Sequence, residues 1–361
     1  MSTHPVSRRG LADGRAAAPT LDDVARHAGV SRQTVSNVVN GTGRVGERTR
    51  DRVLAAIATL GFTPHRGAAS LRSGRADRLA YLLPKGEPRK DNTILLEFLQ
   101  HLVAAADERG QQLLVIQSGG PELRALEELT RSRSIDAVVL SAILEQDARV
   151  RHLQALGVPF ACFGRTDISA PQCWVDVDNR SGVRHSTRSA IERGHRAIAF
   201  IGYESPRRWD ADRQAGYSDA MEEAKLRRRV NVVDAADPVS GIIRLLGRAN
   251  PPTAFVTGSD VLAAACYAAA ARAGRVVGRD LAVVGFDGTV AGRLLVPSLA
   301  TARIPLGPIA ERIVGRLLGE LPNDVGELLE AELLPGDSLC PAPGAVPGIS
   351  RSARRTRTAA G

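Results

Sequence analysis

Between residues 79 and 285 the chain alternates short apolar runs with longer amphipathic stretches, and few folds accept that rhythm. Apolar runs fall at 79–83, 113–116, 137–140, 160–163, 174–177, 197–201, 230–233, 254–257 and 281–285. Their length and their Gly, Pro or polar flanks predict strands. The stretches between them, 94–109, 122–131, 147–156, 180–193, 213–224, 239–248 and 261–273, predict helices. Strand–helix alternation implies βαβ units, whose parallel strands form sheets covered by helices. This many strands exceed one sheet of five or six, so the expectation is an α/β body of two doubly wound parallel-sheet subdomains. The full length of 361 residues also suits two or three domains at roughly 100–200 residues each.

The rhythm is absent before residue 79. Residues 1–18 are rich in Arg, Ala and Gly without periodicity, which predicts a disordered arm. Residues 20–60 carry three short helical patterns parted by Gly-containing turns, a small all-α headpiece. Thr20 suits the cap of the first helix, with Asp22 and Asp23 in its positive first turn. Gly29-Val30-Ser31 reads as a tight turn, with Ser31 capping a second helix at 32–39. Val35, Val38 and Val39 form the inward stripe of that helix and leave Arg32, Gln33, Thr34, Ser36 and Asn37 outward. Two short helices joined this way have helix-turn-helix geometry, and the outward set suits base edges: Arg pairs with guanine, Gln or Asn with adenine. A third helix at 47–60 is expected to pack Val53, Leu54, Ile57 and Leu60 inside, with Arg44, Arg48, Arg50 and Arg52 free to meet phosphates. Pattern alone also allows a helical bundle with a solvated basic face.

Charge divides along the same boundaries. The whole chain carries +9, and residues 1–78 hold 13 Arg against six Asp/Glu, so +7. Residues 341–361 add four Arg and no acid, while the middle carries −2. The excess points to an acidic polymer as partner, either nucleic acid or an anionic membrane, with the basic character at the two ends and the central body close to neutral. Cys162, Cys173, Cys266 and Cys340 lack metal or redox spacing, so no metal site, no cofactor and a reducing compartment are expected. No apolar run approaches the ~20 residues that a bilayer requires, and the N-terminus has no apolar secretory core, so no membrane partner is expected. The seven histidines are scattered, and no Gly-x-Ser-x-Gly or phosphate loop occurs, so no catalytic residues are assigned. Gly41-Thr42-Gly43-Arg44-Val45-Gly46 fits a dinucleotide fingerprint by letter, but a helix precedes it rather than a strand.

The nearly continuous run from Thr20 through Gly41, with Thr49-Arg50-Asp51-Arg52-Val53 and Leu60-Gly61-Phe62-Thr63-Pro64, resembles the headpiece of the LacI/GalR family of bacterial repressors. Further stretches resemble the family's body: Gly157-Val158-Pro159-Phe160, Phe163-Gly164-Arg165, Val175-Asp176-Val177-Asp178-Asn179, Gly194-His195-Arg196, Arg213-Gln214-Ala215-Gly216-Tyr217 and Val283-Val284-Gly285-Phe286-Asp287. The resemblance implies a headpiece at 19–64, a hinge at 65–76, a periplasmic-binding-protein-like effector and dimerisation body at 77–335 with a crossover near 177–180, and a basic disordered tail at 336–361. It implies DNA contacts by Thr20, Leu21, Ser31, Arg32, Gln33, Thr34, Ser36, Asn37, Asn40, Arg44 and Arg50. Ala68, Leu71 and Arg72 belong to the implied hinge helix, with Leu71 as the minor-groove wedge. Asn37 stands where the family often has Arg, and Gly46 where it usually has a better cap. The implied effector contacts are Arg165, Trp209, Arg213, Ser259, Phe286 and Asp287, chemistry that fits a polyol. The whole is expected to be a cytoplasmic homodimeric regulator, no enzyme, that binds a palindromic operator on double-stranded DNA under control of a small molecule, a sugar or glycoside first. A solute-binding protein of sugar transport is the alternative; it would require a secretory signal and no headpiece.

Overall fold

A computed structural model describes residues 19–62, 75–84, 93–118, 122–167, 172–205 and 207–344. The chain divides into two compact units, 1–76 and 77–361. The implied hinge residues Ala68, Leu71 and Arg72 lie outside the described residues.

In the first unit, helices α1 (Leu21–Ala28), α2 (Arg32–Asn40) and α3 (Glu47–Leu60) surround one small core. Thr20 and Asp23 close a reciprocal capping box: Asp23 N donates to Thr20 Oγ1 at 3.3 Å, and Thr20 N donates to Asp23 Oδ2 at 2.9 Å. Gly29 ends α1 at φ 61°, a left-handed conformation that glycine adopts without a Cβ clash. Ser31 Oγ then accepts from Thr34 N at 3.1 Å and starts α2. Val24, Ala25, Ala28, Val35, Val38, Val53, Ala56 and Phe62 fill the centre. Leu54, expected inside, is half exposed, and Ala56 takes the buried position instead.

The second unit holds two six-stranded sheets. Lobe 1 has β1 (Arg78–Pro84), β2 (Gln112–Ser118), β3 (Ala137–Leu140), β4 (Phe160–Phe163) and β5 (Cys173–Val177), in the order β5-β4-β3-β1-β2. Lobe 2 has β6 (Ile198–Gly202), β7 (Val230–Val232), β8 (Ala254–Thr257), β9 (Ala282–Asp287) and β10 (Ala300–Arg303), in the order β10-β9-β8-β6-β7. These pairings are all parallel. Every residue of β3, β6 and β8 is buried, as central strands between two helical layers require. The helices are α4 (Thr93–Asp107), α5 (Glu122–Arg131), α6 (Ala148–Leu156), α7 (Asn179–Glu192), α8 (Arg208–Glu223), α9 (Pro238–Leu246), α10 (Asp260–Arg272), α11 (Val290–Arg293) and α12 (Leu306–Leu317). Helix α8 begins at Arg208, more than a turn before the expected 213, so Trp209 and Arg213 share one helix.

Beyond 285 the chain forms elements that the sequence pattern did not reveal. Helix α12 returns to lobe 1 and packs on α4. Strand β11 (Gly326–Leu329) joins β5, and β12 (Glu332–Leu334) joins β10 as the antiparallel edge of the other sheet. The chain therefore passes between lobes near Asp178, Ile304 and Glu330, and the first and third passages are tied by Asp178 N donating to Leu329 O at 2.8 Å. Order also continues past the expected end of the body at 335. Ser338, Leu339 and Cys340 are buried, and His195 Nε2 meets Cys340 O at 2.9 Å. The expected tail thus begins too early: its first residues are structural, because Ser338 also bonds Ala300 N and Val283 O.

Among the described residues, helices α7 and α8 make the most extensive helix pair. A Cβ at Gly216 would lie 2.1 Å from Arg180 O, so only glycine allows this approach.

Candidate functional site

The headpiece presents the first turns of α2. Ser31, Arg32 and Gln33 are exposed, and Thr34 and Asn37 are partly so. Gln33 Nε2 donates to Asn37 Oδ1 at 2.9 Å, which holds the two amides as one polar pair. Arg44 and Arg50 are exposed beside this helix in sequence, and Leu21 is half-buried. The side chain of Asn40 lies outside the described residues. Ser36 departs from expectation, since it is 8% exposed rather than outward. At 100° per residue it stands about 60° from Val39, on the shoulder of the apolar stripe. Arg52 also departs from the phosphate-facing set. Its Nη2 donates to Ala28 O and Gly29 O, which caps the carbonyl end of α1.

The second site is a cavity at the carboxyl ends of strands from both sheets. Chain reversal there opens a crevice where parallel sheets commonly take ligands. Lobe 1 supplies Phe163 and Gly164 at the end of β4, Asp176 and Val177 of β5, and Ile94 and Leu95 at the start of α4. Lobe 2 supplies Tyr203, Trp209, Arg213, Ser259 and Asp287. Asn179, the first residue of α7, stands at the crossover.

Arg213 organises the polar end. Its Nε donates to Asn179 Oδ1 at 2.8 Å and its Nη1 to Gly258 O at 2.6 Å. Nη1 also lies 3.3 Å from Asp287 Oδ1. The guanidinium sits over the Phe286 ring, 3.9 Å from its centroid. Phe286 is fully buried and does not line the cavity, so it backs Arg213 instead of packing on a ligand. Asp287 has φ 116°, a region few residues other than glycine enter. Such backbone is commonly held at ligand sites, where surrounding contacts impose it.

Arg165 does not line the cavity either. Its Nε donates to Asp176 Oδ2 at 3.1 Å, and its Nη2 bonds Asp212 on α8, so its role is to join the lobes behind the wall. Burial pushes the Asp176 carboxyl upward, while Arg165 pulls it back. Ser259 does line the cavity, but its Oγ accepts from Leu262 N at 3.2 Å as the cap of α10. Asp176, Asn179 and Tyr203 were not among the expected contacts. Asp176 and Asn179 lay inside the quoted crossover motif, which marked the passage between subdomains rather than a contact; no local signal marked Tyr203. Among the described residues no cluster of His, Cys, Asp and Glu could hold a metal ion, and all four cysteines are buried. No described helix is long and apolar enough to cross a membrane.

A helix-turn-helix headpiece attached to a two-lobed body with an interlobe cavity defines a DNA-binding protein with a ligand-binding module. Residues 20–65 match the family described as bacterial regulatory proteins, lacI family, and residues 187–340 match the periplasmic binding protein-like domain. The HTH-type transcriptional regulator CelR of Thermobifida fusca is 31% identical, covering 89% of this chain and 98% of its own. AglR of Rhizobium meliloti, another HTH-type transcriptional regulator, is 31% identical over 90% and 95%. A solved CelR–cellobiose complex has a TM-score of 0.65 at 29% identity, covering 89% of this chain and 99% of that one. The lac repressor dimer bound to operator and an anti-inducer shares the fold, with a TM-score of 0.76 at 24% identity. The chain belongs to the LacI family of bacterial regulatory proteins. It is a helix-turn-helix DNA-binding transcriptional regulator, and its relatives are regulators rather than enzymes.

Proposed function

We propose that this regulator is a cytoplasmic repressor whose operator affinity is set by a saccharide bound between the two lobes. The observation that carries this reading is the Arg213–Asp287–Asn179 cluster beside Trp209. A carboxylate accepts hydroxyl hydrogens, a guanidinium donates to ring or hydroxyl oxygens, and an indole packs on the C–H face of a pyranose. A relative's complex with cellobiose supports the same class of ligand. Arg213, Asp287, Trp209 and Ser259 are the proposed contacts, with Arg165 as their support.

Sequence reading comes from Arg32, Gln33, Thr34 and Asn37, with Thr20, Leu21, Ser31, Arg44, Arg50 and the hinge residues at the backbone and minor groove. The regulator acts as a homodimer on a palindromic operator. Large apolar side chains stand exposed on each lobe: Leu96 and Val103 on α4 of lobe 1, and Val290, Leu294 and Val296 on lobe 2. Patches of this kind suit a subunit interface.

The test begins with operator sites enriched from random duplex DNA by the full-length protein. Gel shifts on the enriched site should yield a two-fold-symmetric sequence, and a panel of sugars should change the apparent affinity. Arg213→Ala should keep basal operator binding and lose the sugar response. An unsymmetric site, or a response that survives Arg213→Ala, would overturn the reading.

A further inference from the structure

We infer that the cavity selects uncharged saccharides and rejects phosphorylated or carboxylated ones, with Asp176 of lobe 1 acting as a second hydroxyl-accepting carboxylate opposite Asp287. This rests on the cavity being the effector site, and it adds the charge class of the ligand.

The charges around the cavity are already paired with one another. Among the described residues two carboxylates, Asp176 and Asp287, line the wall, against a single lining guanidinium, that of Arg213. Arg213 is committed: it faces Asp287 at 3.3 Å, and its Nε and Nη1 hydrogens go to Asn179 and Gly258. Arg165 stands behind the wall, held between Asp176 and Asp212. Arg207, buried beside the site, stacks on the face of Trp209 at 5.2 Å from the ring centroid.

An anionic sugar would bring a third negative charge to this wall, where, among the described residues, the guanidiniums of Arg213 and Arg165 already face carboxylates. A buried charge left without its partner is strongly disfavoured. A neutral polyol meets the opposite situation. Each carboxylate oxygen has lone pairs enough for more than one donor. Asp176 spends Oδ2 on Arg165 and Oδ1 on Val177 N at 2.8 Å, and both oxygens keep acceptor capacity toward hydroxyls. Because Asp176 comes from lobe 1 and Asp287 from lobe 2, a neutral sugar can bridge the lobes through its hydroxyls.

The experiment is a thermal-shift and calorimetric panel on the full-length protein. Cellobiose, maltose, melibiose and sucrose are each set against the same sugar phosphorylated at a primary hydroxyl and, for the three reducing sugars, against the aldonic acid. At least one neutral sugar should raise Tm, since a ligand of the folded state stabilises by mass action. Its charged derivatives should bind about a hundredfold more weakly or not at all. Asp176→Asn should weaken the neutral ligand and narrow that ratio, while circular dichroism reports an intact fold. A charged sugar that binds better than its neutral parent, with binding lost in Arg213→Ala, overturns the selectivity and leaves the effector site standing. An Asp176→Asn protein that keeps both the neutral affinity and the full ratio overturns the role of Asp176. Binding of no sugar in either set overturns the effector reading and this inference together.

Discussion

Arg165, just after the fourth strand of lobe 1, bonds Asp212 on a helix of lobe 2, one residue before the cavity's Arg213. The same guanidinium holds Asp176, which lines the cavity. One side chain therefore links the approach of the lobes to the position of two residues in the cavity wall. Arg165→Gln removes the guanidinium that pairs with buried Asp176 and leaves Asp212 only the longer contact to Arg208 at 3.9 Å. Body stability in urea should fall by about 2–4 kcal/mol. A double-mutant cycle with Asp212→Asn should return a coupling of about 1 kcal/mol or more; additive effects would show that the link carries no energy.

Gly216 allows α7 and α8 to touch backbone to backbone. Gly216→Ala would force its methyl against Arg180 O, and overpacking of this kind costs about 1–3 kcal/mol. The unfolding midpoint of the body should drop accordingly. An unchanged midpoint would mean that the helices separate freely.

His195 is fully buried between Thr253 and Cys340. Since Cys340 O can only accept, Nε2 carries the proton, and Nδ1 accepts from Thr253. Burial depresses the histidine below its usual 6.5. The folded state thus prefers neutral imidazole, and the unfolded chain takes up the proton first. Its contribution is complete above about pH 6.5 and shrinks as pH falls toward the depressed folded value. Urea unfolding between pH 7.5 and 5 should show that loss, and His195→Gln should flatten this part of the profile while lowering stability throughout.

In the headpiece, base reading and phosphate anchoring separate by experiment. Gln33→Ala should cost about 1–3 kcal/mol and relax preference at one base position. Arg44→Ala should weaken all sequences alike and reduce the salt slope by about 1. Filter-binding titrations over salt distinguish the two patterns, and exchanged outcomes would reverse the assignments.

The parallel strands were legible because a buried strand in an α/β sheet must be an unbroken apolar run, and β3, β4 and β8 fall where the sequence places them. The cavity's lobe-2 contacts, Arg213 and Asp287, were legible only through family resemblance. What escaped reading obeys tertiary demands. Glu327-Leu328-Leu329-Glu330-Ala331-Glu332-Leu333-Leu334 is composed of strong helix formers, yet it forms two edge strands because each sheet offers an open edge. Phe286 looked like a stacking aromatic, but sequence carries no record of which face of a strand end opens to a cavity. Arg52 looked like any headpiece arginine until the end of α1 came within its reach.

Each lobe is stitched from two separate lengths of polypeptide, because the chain crosses between them near Asp178, Ile304 and Glu330. No single cut in the gene can release one lobe whole. A truncation anywhere between 178 and 325 removes strand β11 from lobe 1 as well as all or part of lobe 2. The sensor must consequently be made, inherited and engineered as one indivisible piece, whereas the headpiece at the front can be exchanged as a unit.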